Sequence, residues 1–245
     1  MKPFLILQLR PNDKASDGEF DAFLKFSNLT SDQVVRVRME QNGIPNVNLD
    51  DFSGVIVGGG PSNVSDTENK KSYEQKKFES SLTGLLSEVV ERDFPFLGAC
   101  YGFGALTSHC GGLISKEKYS EDVGGITIQL TKEAQDDELL KDFPTEFRAF
   151  GGHKEACQTA PKNAIILAKS STCPVQLIRI KNNIYGTQFH PELDVEGIIL
   201  RINIYKYAGY FPPEDAQQLI DTVTDEDIRI PMMFMKRFVE KYKIS

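Results

Sequence analysis

Cys100 stands in the part of the sequence best suited to nucleophilic chemistry. It belongs to the segment Gly98-Ala99-Cys100-Tyr101-Gly102, after an apolar run that predicts a strand and before a segment that predicts a helix. A strand that turns at once into a helix, with small residues beside the nucleophile, is the layout of a nucleophile elbow. Because the N-terminus of a helix favours negative charge, we expect a lowered pKa and a populated thiolate at Cys100.

The same segment is also compatible with a small, buried and unreactive cysteine, which is common for free thiols. The other cysteines, Cys110, Cys157 and Cys173, lack the elbow context and are expected to be structural. The four cysteines form no CxxC pair and have no zinc-type spacing, so the sequence predicts no metal site and no cofactor.

A base and an orienting acceptor for this nucleophile are present in the run Gln188-Phe189-His190-Pro191-Glu192. The run ends a predicted strand, residues 184–189, whose end is expected at the same sheet edge as Cys100. Glu192 can reach the far ring nitrogen of His190, hold its tautomer and stabilise the imidazolium. Taken alone, the tripeptide His190-Pro191-Glu192 is also compatible with a surface turn.

The other two histidines have weaker contexts. His109 lies nine residues after Cys100 on the predicted helix, about two and a half turns away, and is interpreted as structural. His153, in Gly151-Gly152-His153-Lys154-Glu155, is a candidate for substrate contact if its loop lies at the same sheet edge.

A glycine run, Gly58-Gly59-Gly60-Pro61, follows the third predicted strand. Neither the GxGxxG spacing of dinucleotide sites nor the Lys-Ser/Thr pair of a P-loop is present, so phosphate binding is not predicted. The run can instead present a backbone N–H to an oxyanion, with Gly60 and Tyr101 as the two donors. A tight turn without a chemical role is the alternative.

The order of elements predicts how these residues are positioned. Strands alternate with helices up to residue 112, which indicates a mostly parallel sheet covered on both faces. Strands joined by short turns then predict an antiparallel excursion, and two helices follow Pro212-Pro213. We therefore expect an α/β domain over residues 1–208 and a helical C-terminal extension over residues 209–245, whose Met-rich stripe either packs on the domain or forms a docking face.

Composition excludes several classes of partner. The formal net charge is −7, and no cluster of Lys and Arg occurs, so binding to nucleic acid or to anionic membrane is not expected. No run of about 18 apolar residues is present, and the apolar run near the N-terminus is short. These features predict a protein of the cytoplasm.

The three motifs together resemble the class I, triad-type glutamine amidotransferases, and most closely the amidotransferase domain of GMP synthase and its stand-alone relatives. The resemblance covers roughly residues 4–205. It implies a flavodoxin-like three-layer sandwich with a mostly parallel central sheet. It also implies that Cys100 attacks the carboxamide of glutamine, that Gly60 and Tyr101 hold the oxyanion, and that His190, oriented by Glu192, transfers protons without a metal.

The sequence departs from this family at Gly104, where the family usually has a glutamine that helps to bind substrate. Gly104, His153 and Gly124, the last within the segment Glu121-Asp122-Val123-Gly124-Gly125, are nevertheless the candidate substrate-binding positions. Three functions stay open: hydrolysis of glutamine, hydrolysis of substituted γ-glutamyl amides, and a non-catalytic binding or regulatory module. A synthetase partner and a homodimer are both open as well, because residues 209–245 are too few to bind an ammonia acceptor.

Overall fold

The computed structural model describes residues 1–244. The strands are β1 (Phe4–Gln8), β2 (Val34–Arg38), β3 (Gly54–Val57), β4 (Phe96–Ala99), β5 (Leu113–Ser115), β6 (Glu121–Leu130), β7 (Glu146–His153), β8 (Ala156–Thr159), β9 (Ala164–Lys169), β10 (Leu177–Ile180) and β11 (Ile184–Thr187). The helices are α1 (Asp13–Ser27), α2 (Met39–Asn42), α3 (Tyr73–Arg92), α4 (Tyr101–His109), α5 (Val195–Tyr205), α6 (Ala216–Val223) and α7 (Arg229–Tyr242).

Nine strands form one mixed sheet in the order β2-β1-β3-β4-β11-β10-β9-β6-β7. The first five of these are parallel to one another, whereas β10, β9, β6 and β7 each pair antiparallel with their neighbours. The predicted α/β fold, with a parallel core and an antiparallel excursion, is therefore confirmed. Because β4 and β11 are adjacent and parallel, the residues that follow them meet at one edge of the sheet.

Alternation along β1 explains why helices cover both faces of the sheet. Leu5 and Leu7 point into a core shared with α3 and α4, whereas Phe4 and Ile6 point into a core shared with α1 and α7. Successive side chains of a strand point to opposite faces of the sheet. A strand that is covered on both faces therefore has a continuous run of apolar residues.

The predicted C-terminal extension contains α6 and α7, and α7 covers the main sheet. Phe234, Met235 and Phe238 are buried, and the ring of Phe238 lies 6.4 Å from that of Phe4. The backbone N–H of Lys2 donates to the carbonyl of Ile244 at 3.0 Å, which ties the two ends of the described chain together. Residue 208 thus divides the chain into two stretches that share one core.

The structure adds local features that the sequence analysis did not predict. The helix α1 begins at Asp13, because the side chain of Asn12 caps it by accepting from the N–H of Ala15 at 3.1 Å. The strands β5 and β8 were missed; they are short and pair only with each other.

Among the helices of residues 1–244, none combines the length and the apolar character needed to cross a bilayer.

Candidate active site

Cys100 lies between β4 and α4 in a strained backbone conformation, with φ 51° and ψ −96°. Its N–H donates to the carbonyl of Thr187 at the end of β11 at 2.8 Å, which fixes the turn to the neighbouring strand. The flanking glycines allow this turn, because a Cβ on Gly98 would lie 2.5 Å from the carbonyl carbon of Gly102. A positive φ at a non-glycine residue costs about 1–3 kcal/mol and occurs most often at functional sites.

His190 lies beyond β11, and its Nδ1 is 2.8 Å from Oε1 of Glu192. A carboxylate cannot donate, so Nδ1 carries the proton and Nε2 is left as the basic nitrogen. Arg201 on α5 donates from Nη2 to the same Oε1 at 2.9 Å. Its Nη1 lies 3.2 Å from Nδ1 of His190, a contact between two donors under this assignment. The carboxylate of Glu192 is completely buried.

The imidazole and the cysteine meet at Gly59. A Cβ on this glycine would lie 2.5 Å from Cε1 of His190, 3.2 Å from Cβ of Cys100 and 3.2 Å from Nη2 of Arg10. These three side chains therefore converge on one point of the glycine loop, and any residue larger than glycine would push them apart. The structure brings Cys100, His190 and Glu192 together at one sheet edge.

The loop and the elbow also place two backbone donors beside the thiol. The N–H of Gly102 donates to the carbonyl of Gly58 at 3.3 Å, which joins the glycine loop to the first turn of α4. Within residues 1–244, the N–H groups of Gly60 and Tyr101 donate to no protein acceptor. Gly60 and Cys100 line the same two clefts. Two unused donors next to a nucleophile are the arrangement that an oxyanion requires.

The expectation of a lowered thiol pKa was wrong. Burial raises the pKa of Cys100 to about 12; Arg10 and Arg201 oppose this effect, and the carboxylates of Glu155 and Glu192 add to it. Burial also lowers the pKa of His190, although Glu192 acts in the opposite direction. The position at the start of α4 is as predicted, but desolvation of the thiolate outweighs the helix dipole. At neutral pH the pair therefore rests as neutral thiol and neutral imidazole.

Sequence reasoning missed a buried ion network behind the histidine. Nε of Arg10 donates to Oε1 of Glu19 at 2.7 Å, and Nη2 of Arg201 lies 3.4 Å from the same oxygen. Gln8 donates to the other oxygen of Glu19 at 2.9 Å. The guanidinium groups of Arg10 and Arg201 thus balance the carboxylates of Glu19 and Glu192. The signal for Arg10 was its place just after a buried strand at the ligand-binding edge of the sheet.

Two clefts share Cys100 as a lining residue. The histidine-side cleft is lined by His190, Arg10 and Arg201 together with apolar and aromatic groups, namely Leu193, Ile198, Ile202, Tyr205, Tyr210 and Phe211. The second cleft, called the polar cleft, is not lined by His190. Its lining residues include Ser62, Asn63, Gly104, His153, Lys154, Glu155, Gln188 and Tyr210. Tyr210 lines both clefts and lies close enough to Cys100 to interact with it electrostatically. The ammonium of Lys154 holds its ring, at 4.3 Å from the centroid.

Gly104 lies in the polar cleft, and its neighbours explain why a side chain is absent. A Cβ there would lie 3.3 Å from Cγ2 of Val64 and 3.8 Å from Oε1 of Glu155. The carboxylate of Glu155 accepts from the N–H groups of Val64 and Ser65 at 2.8 and 2.9 Å. The space into which a longer residue would extend is therefore already filled by this carboxylate and by Val64.

The other two candidate substrate-binding positions, His153 and Gly124, lie in different clefts. His153 lines the polar cleft, but its Nε2 contacts Oε2 of Glu121 at 2.9 Å and its Nδ1 contacts the carbonyl of Glu155 at 2.9 Å, so both nitrogens are already paired. Gly124 does not reach Cys100. It follows a register shift in β6 and lines a separate cleft with Arg148 and Glu226.

Glu121, His153 and Cys173 are the one group with metal-ligand atoms close together in the described chain, within 4.8 Å. The carboxylate of Glu121 also accepts from Ser170 at 2.5 Å and from Gln176 at 2.7 Å. Its lone pairs are thus used in a hydrogen-bonded network that supports the loop bearing His153, and the donor set does not favour a metal.

Comparisons with known proteins identify the family of the chain. The family described as glutamine amidotransferase class-I matches residues 25–196. A subunit of the glutamine-hydrolyzing GMP synthase of Pyrococcus abyssi is 30% identical over 164 residues, which are 64% of this chain and 78% of the relative. The glutamine-hydrolyzing GMP synthase of Streptococcus mutans is 31% identical over 143 residues, 57% of this chain but only 25% of that protein. The chain thus matches about a quarter of that larger relative.

Solved structures share the fold at lower sequence identity. A glutamine amidotransferase from Thermotoga maritima superimposes with a TM-score of 0.79 at 18% identity, over 99% of this chain and 98% of that one. A glutamine amido transferase from Methylobacillus flagellatus superimposes with a TM-score of 0.76 at 20% identity, over 100% and 97% of the two chains. At such identities the similarity establishes the fold, and activity must be argued from the site.

Proposed function

Since the chain belongs to the class-I glutamine amidotransferase family, we propose that it hydrolyses the side-chain amide of glutamine with Cys100 as the nucleophile, His190 as the acid–base and Glu192 as the residue that orients His190. The observation that carries the proposal is the convergence of Cys100 and His190 at Gly59, with Nδ1 of His190 directed to Glu192.

The proposed reaction starts from the neutral pair. Nε2 of His190 takes the thiol proton as the sulfur of Cys100 attacks the amide carbon, and the oxyanion is held by the N–H groups of Gly60 and Tyr101. The imidazolium then protonates the amide nitrogen, the C–N bond breaks, and ammonia leaves a γ-glutamyl thioester. Water, deprotonated by His190, releases glutamate and restores the thiol. Glu192 stabilises the imidazolium in both steps.

The polar cleft is the proposed site of the glutamyl group. It offers the ammonium of Lys154 and the carboxylate of Glu155, and His190 does not line it. An amino-acid head group carries the complementary pair of charges. In this arrangement Glu155, rather than a side chain at position 104, borders the substrate.

The test is release of ammonia and glutamate from glutamine by the purified chain, with mass-spectrometric detection of a γ-glutamyl adduct on the peptide that contains Cys100. An adduct on another residue would refute the assignment. Turnover that gives no adduct and persists after removal of Cys100 would refute it as well.

A partner is a second element of the proposal. The Pyrococcus abyssi relative is named as one subunit of its GMP synthase, which indicates that this relative works with a further polypeptide. We extend this to the present chain and propose a separate synthetase as the partner that receives ammonia. Turnover of glutamine by the chain alone at about 10 s⁻¹, a typical enzymatic rate, would show that no partner is required for hydrolysis.

A further inference from the structure

We propose that the histidine-side cleft binds a leaving group larger than ammonia, an α-amino acid with an apolar side chain, so that the chain also hydrolyses γ-glutamyl dipeptides of such amino acids. This inference rests on the proposed function of Cys100 and His190, and it concerns the part of the substrate that leaves.

The side on which the leaving group lies follows from proton transfer. His190 must protonate the departing nitrogen, so the leaving group lies on the same side of Cys100 as the imidazole. The cleft on that side contains His190, whereas the polar cleft does not. Ammonia occupies no more space than a water molecule and requires no such cleft.

The walls of the cleft indicate the chemistry of this leaving group. Leu193, Ile198 and Ile202 form an aliphatic wall, and Tyr205, Tyr210 and Phe211 add aromatic rings. Burial of an apolar side chain of the size of leucine against such walls stabilises a complex strongly enough to change affinity about tenfold to a hundredfold.

Two polar groups of the cleft lie beside each other, the guanidinium of Arg10 and the hydroxyl of Tyr205. Arg10 is only 4% exposed, and although its Nε is bonded to Glu19, no group within residues 1–244 apart from the buried hydroxyl of Tyr205 can accept from its Nη atoms. The Tyr205 hydroxyl can accept from this guanidinium, whose Nη atoms carry four N–H donors in all. Because buried donors are nearly always paired, the remaining Nη donors of Arg10 indicate a ligand group that accepts hydrogen bonds. A guanidinium selects a carboxylate.

The position of Arg10 limits where that carboxylate can be. Its Nη2 and Cε1 of His190 both border the place of a Cβ on Gly59, at 3.2 and 2.5 Å. The carboxylate must therefore be only a few bonds from the nitrogen that His190 protonates. An α-amino acid joined through its amino group meets this condition, because its carboxylate is two bonds from the scissile nitrogen.

The step is a hydrolysis that balances with water alone. The thiol sulfur of Cys100 bonds to the γ-carbon, the bond from that carbon to the amino-acid nitrogen breaks, and the thiol proton passes through His190 to this nitrogen. The free amino acid leaves at this point. Water then cleaves the thioester, which gives glutamate and restores the thiol of Cys100. No oxidant, reductant or further reactant is needed.

The experiment compares kcat/KM for four substrates: γ-glutamyl-leucine, γ-glutamyl-isopentylamide, which lacks only the carboxylate, γ-glutamyl-glycine, which lacks only the side chain, and glutamine. We expect the leucine dipeptide to exceed the isopentylamide by about tenfold to a hundredfold, the effect of one charge-assisted pair, and to exceed the glycine dipeptide similarly. Equal rates for the first two would overturn the role of the carboxylate.

Arg10→Gln assigns the effect to its residue. The ratio between γ-glutamyl-leucine and γ-glutamyl-isopentylamide should fall to near one, whereas Arg36→Gln, which replaces an arginine bonded to Gln8 and Ser16 outside the cleft, should keep it. A ratio retained in Arg10→Gln overturns the inference, and a circular dichroism melt of both variants confirms that they fold. If the wild-type chain hydrolyses glutamine but cleaves no dipeptide, this inference alone is refuted. If the wild-type chain hydrolyses neither substrate, the proposed function is refuted.

Discussion

Arg201 donates to Oε1 of Glu192, the same oxygen that faces Nδ1 of His190. This places a fixed positive charge behind the carboxylate that is proposed to stabilise the imidazolium. Arg201 lowers the pKa of His190 and Glu192 raises it, so the two residues set the basicity of His190 in opposite directions after burial has lowered it. Arg201 is therefore a positioning residue for the proposed reaction.

The pH dependence of kcat/KM for glutamine should reflect the lowered pKa of His190. The neutral imidazole is the active base, so activity is retained above this pKa and is lost as the pH falls through it. We expect the midpoint of the acid limb below 6.5, the ordinary value for histidine. A pH profile measured between pH 4 and 9 checks this, and a midpoint at or above 6.5 would contradict the environment described for His190.

Variants of the two partners should move this limb in opposite directions. Glu192→Gln removes the charge that raises the pKa of His190, so the limb should shift to lower pH, with a loss of about 10²-fold in kcat or more. Arg201→Gln removes a charge that lowers this pKa, and the limb should shift to higher pH. Thermal melts control for folding, because breaking a buried pair is strongly destabilising. Shifts in the same direction would exclude this electrostatic account.

Cys100 should react slowly with iodoacetamide in the absence of substrate. With a pKa of about 12, only a small fraction is thiolate at pH 7, and the labelling rate should rise about tenfold per pH unit. Cys110, partly exposed and with its pKa raised to about 11, is the internal reference and should be labelled faster at neutral pH. Quantitative peptide mass spectrometry after timed alkylation measures both. Preferential labelling of Cys100 at pH 7 would indicate a thiolate that burial does not suppress.

Substitution of Cys100 should separate activity from stability. Cys100→Ala and Cys100→Gly should both lower turnover by at least about 10⁴-fold, as removal of a nucleophile does. The glycine variant tolerates φ 51° and should be about 1 kcal/mol more stable than the alanine variant, or roughly 2–4 °C in Tm. Differential scanning calorimetry gives the comparison. An alanine variant as stable as the glycine variant would show that the elbow is not strained.

Restoring a longer residue at position 104 should not improve glutamine turnover. In Gly104→Gln the side chain must displace Glu155 or Val64, and overpacking of this kind costs about 1–3 kcal/mol. Gly104→Ala adds only a Cβ, 3.3 Å from Val64, and should be near neutral in urea unfolding. Recovery of stability in a Gly104→Gln, Glu155→Gly double variant would identify Glu155 as the obstacle, whereas equal stability of all three variants would leave position 104 without steric restriction.

The parts of the fold that could be predicted are those in which a local pattern determines the outcome. The strand-turn-helix around Cys100 and the strand predicted over residues 184–189 each depend on neighbouring residues, and each lies within a few positions of its prediction. The short strands β5 and β8 were missed because three or four residues with mixed burial carry little periodic signal.

Motif order could predict which residues converge, but not the charges that surround them. Arg10 and Arg201 are distant in the sequence and meet only through Glu19, and the rise in the pKa of Cys100 depends on burial by several elements. The lowered pKa was inferred from the helix start alone, which is the local part of the environment. Desolvation is a property of the folded site.

Tyr210 gives the C-terminal stretch a direct part in access to the sulfur. The residues between α5 and α6 wall both clefts, while α7, further along the same stretch, closes the core over β1. A chain cut after residue 208 would thus lose Tyr210 from both clefts and the cover of its sheet together. We therefore expect proteolysis of this tail to open both clefts to bulk water.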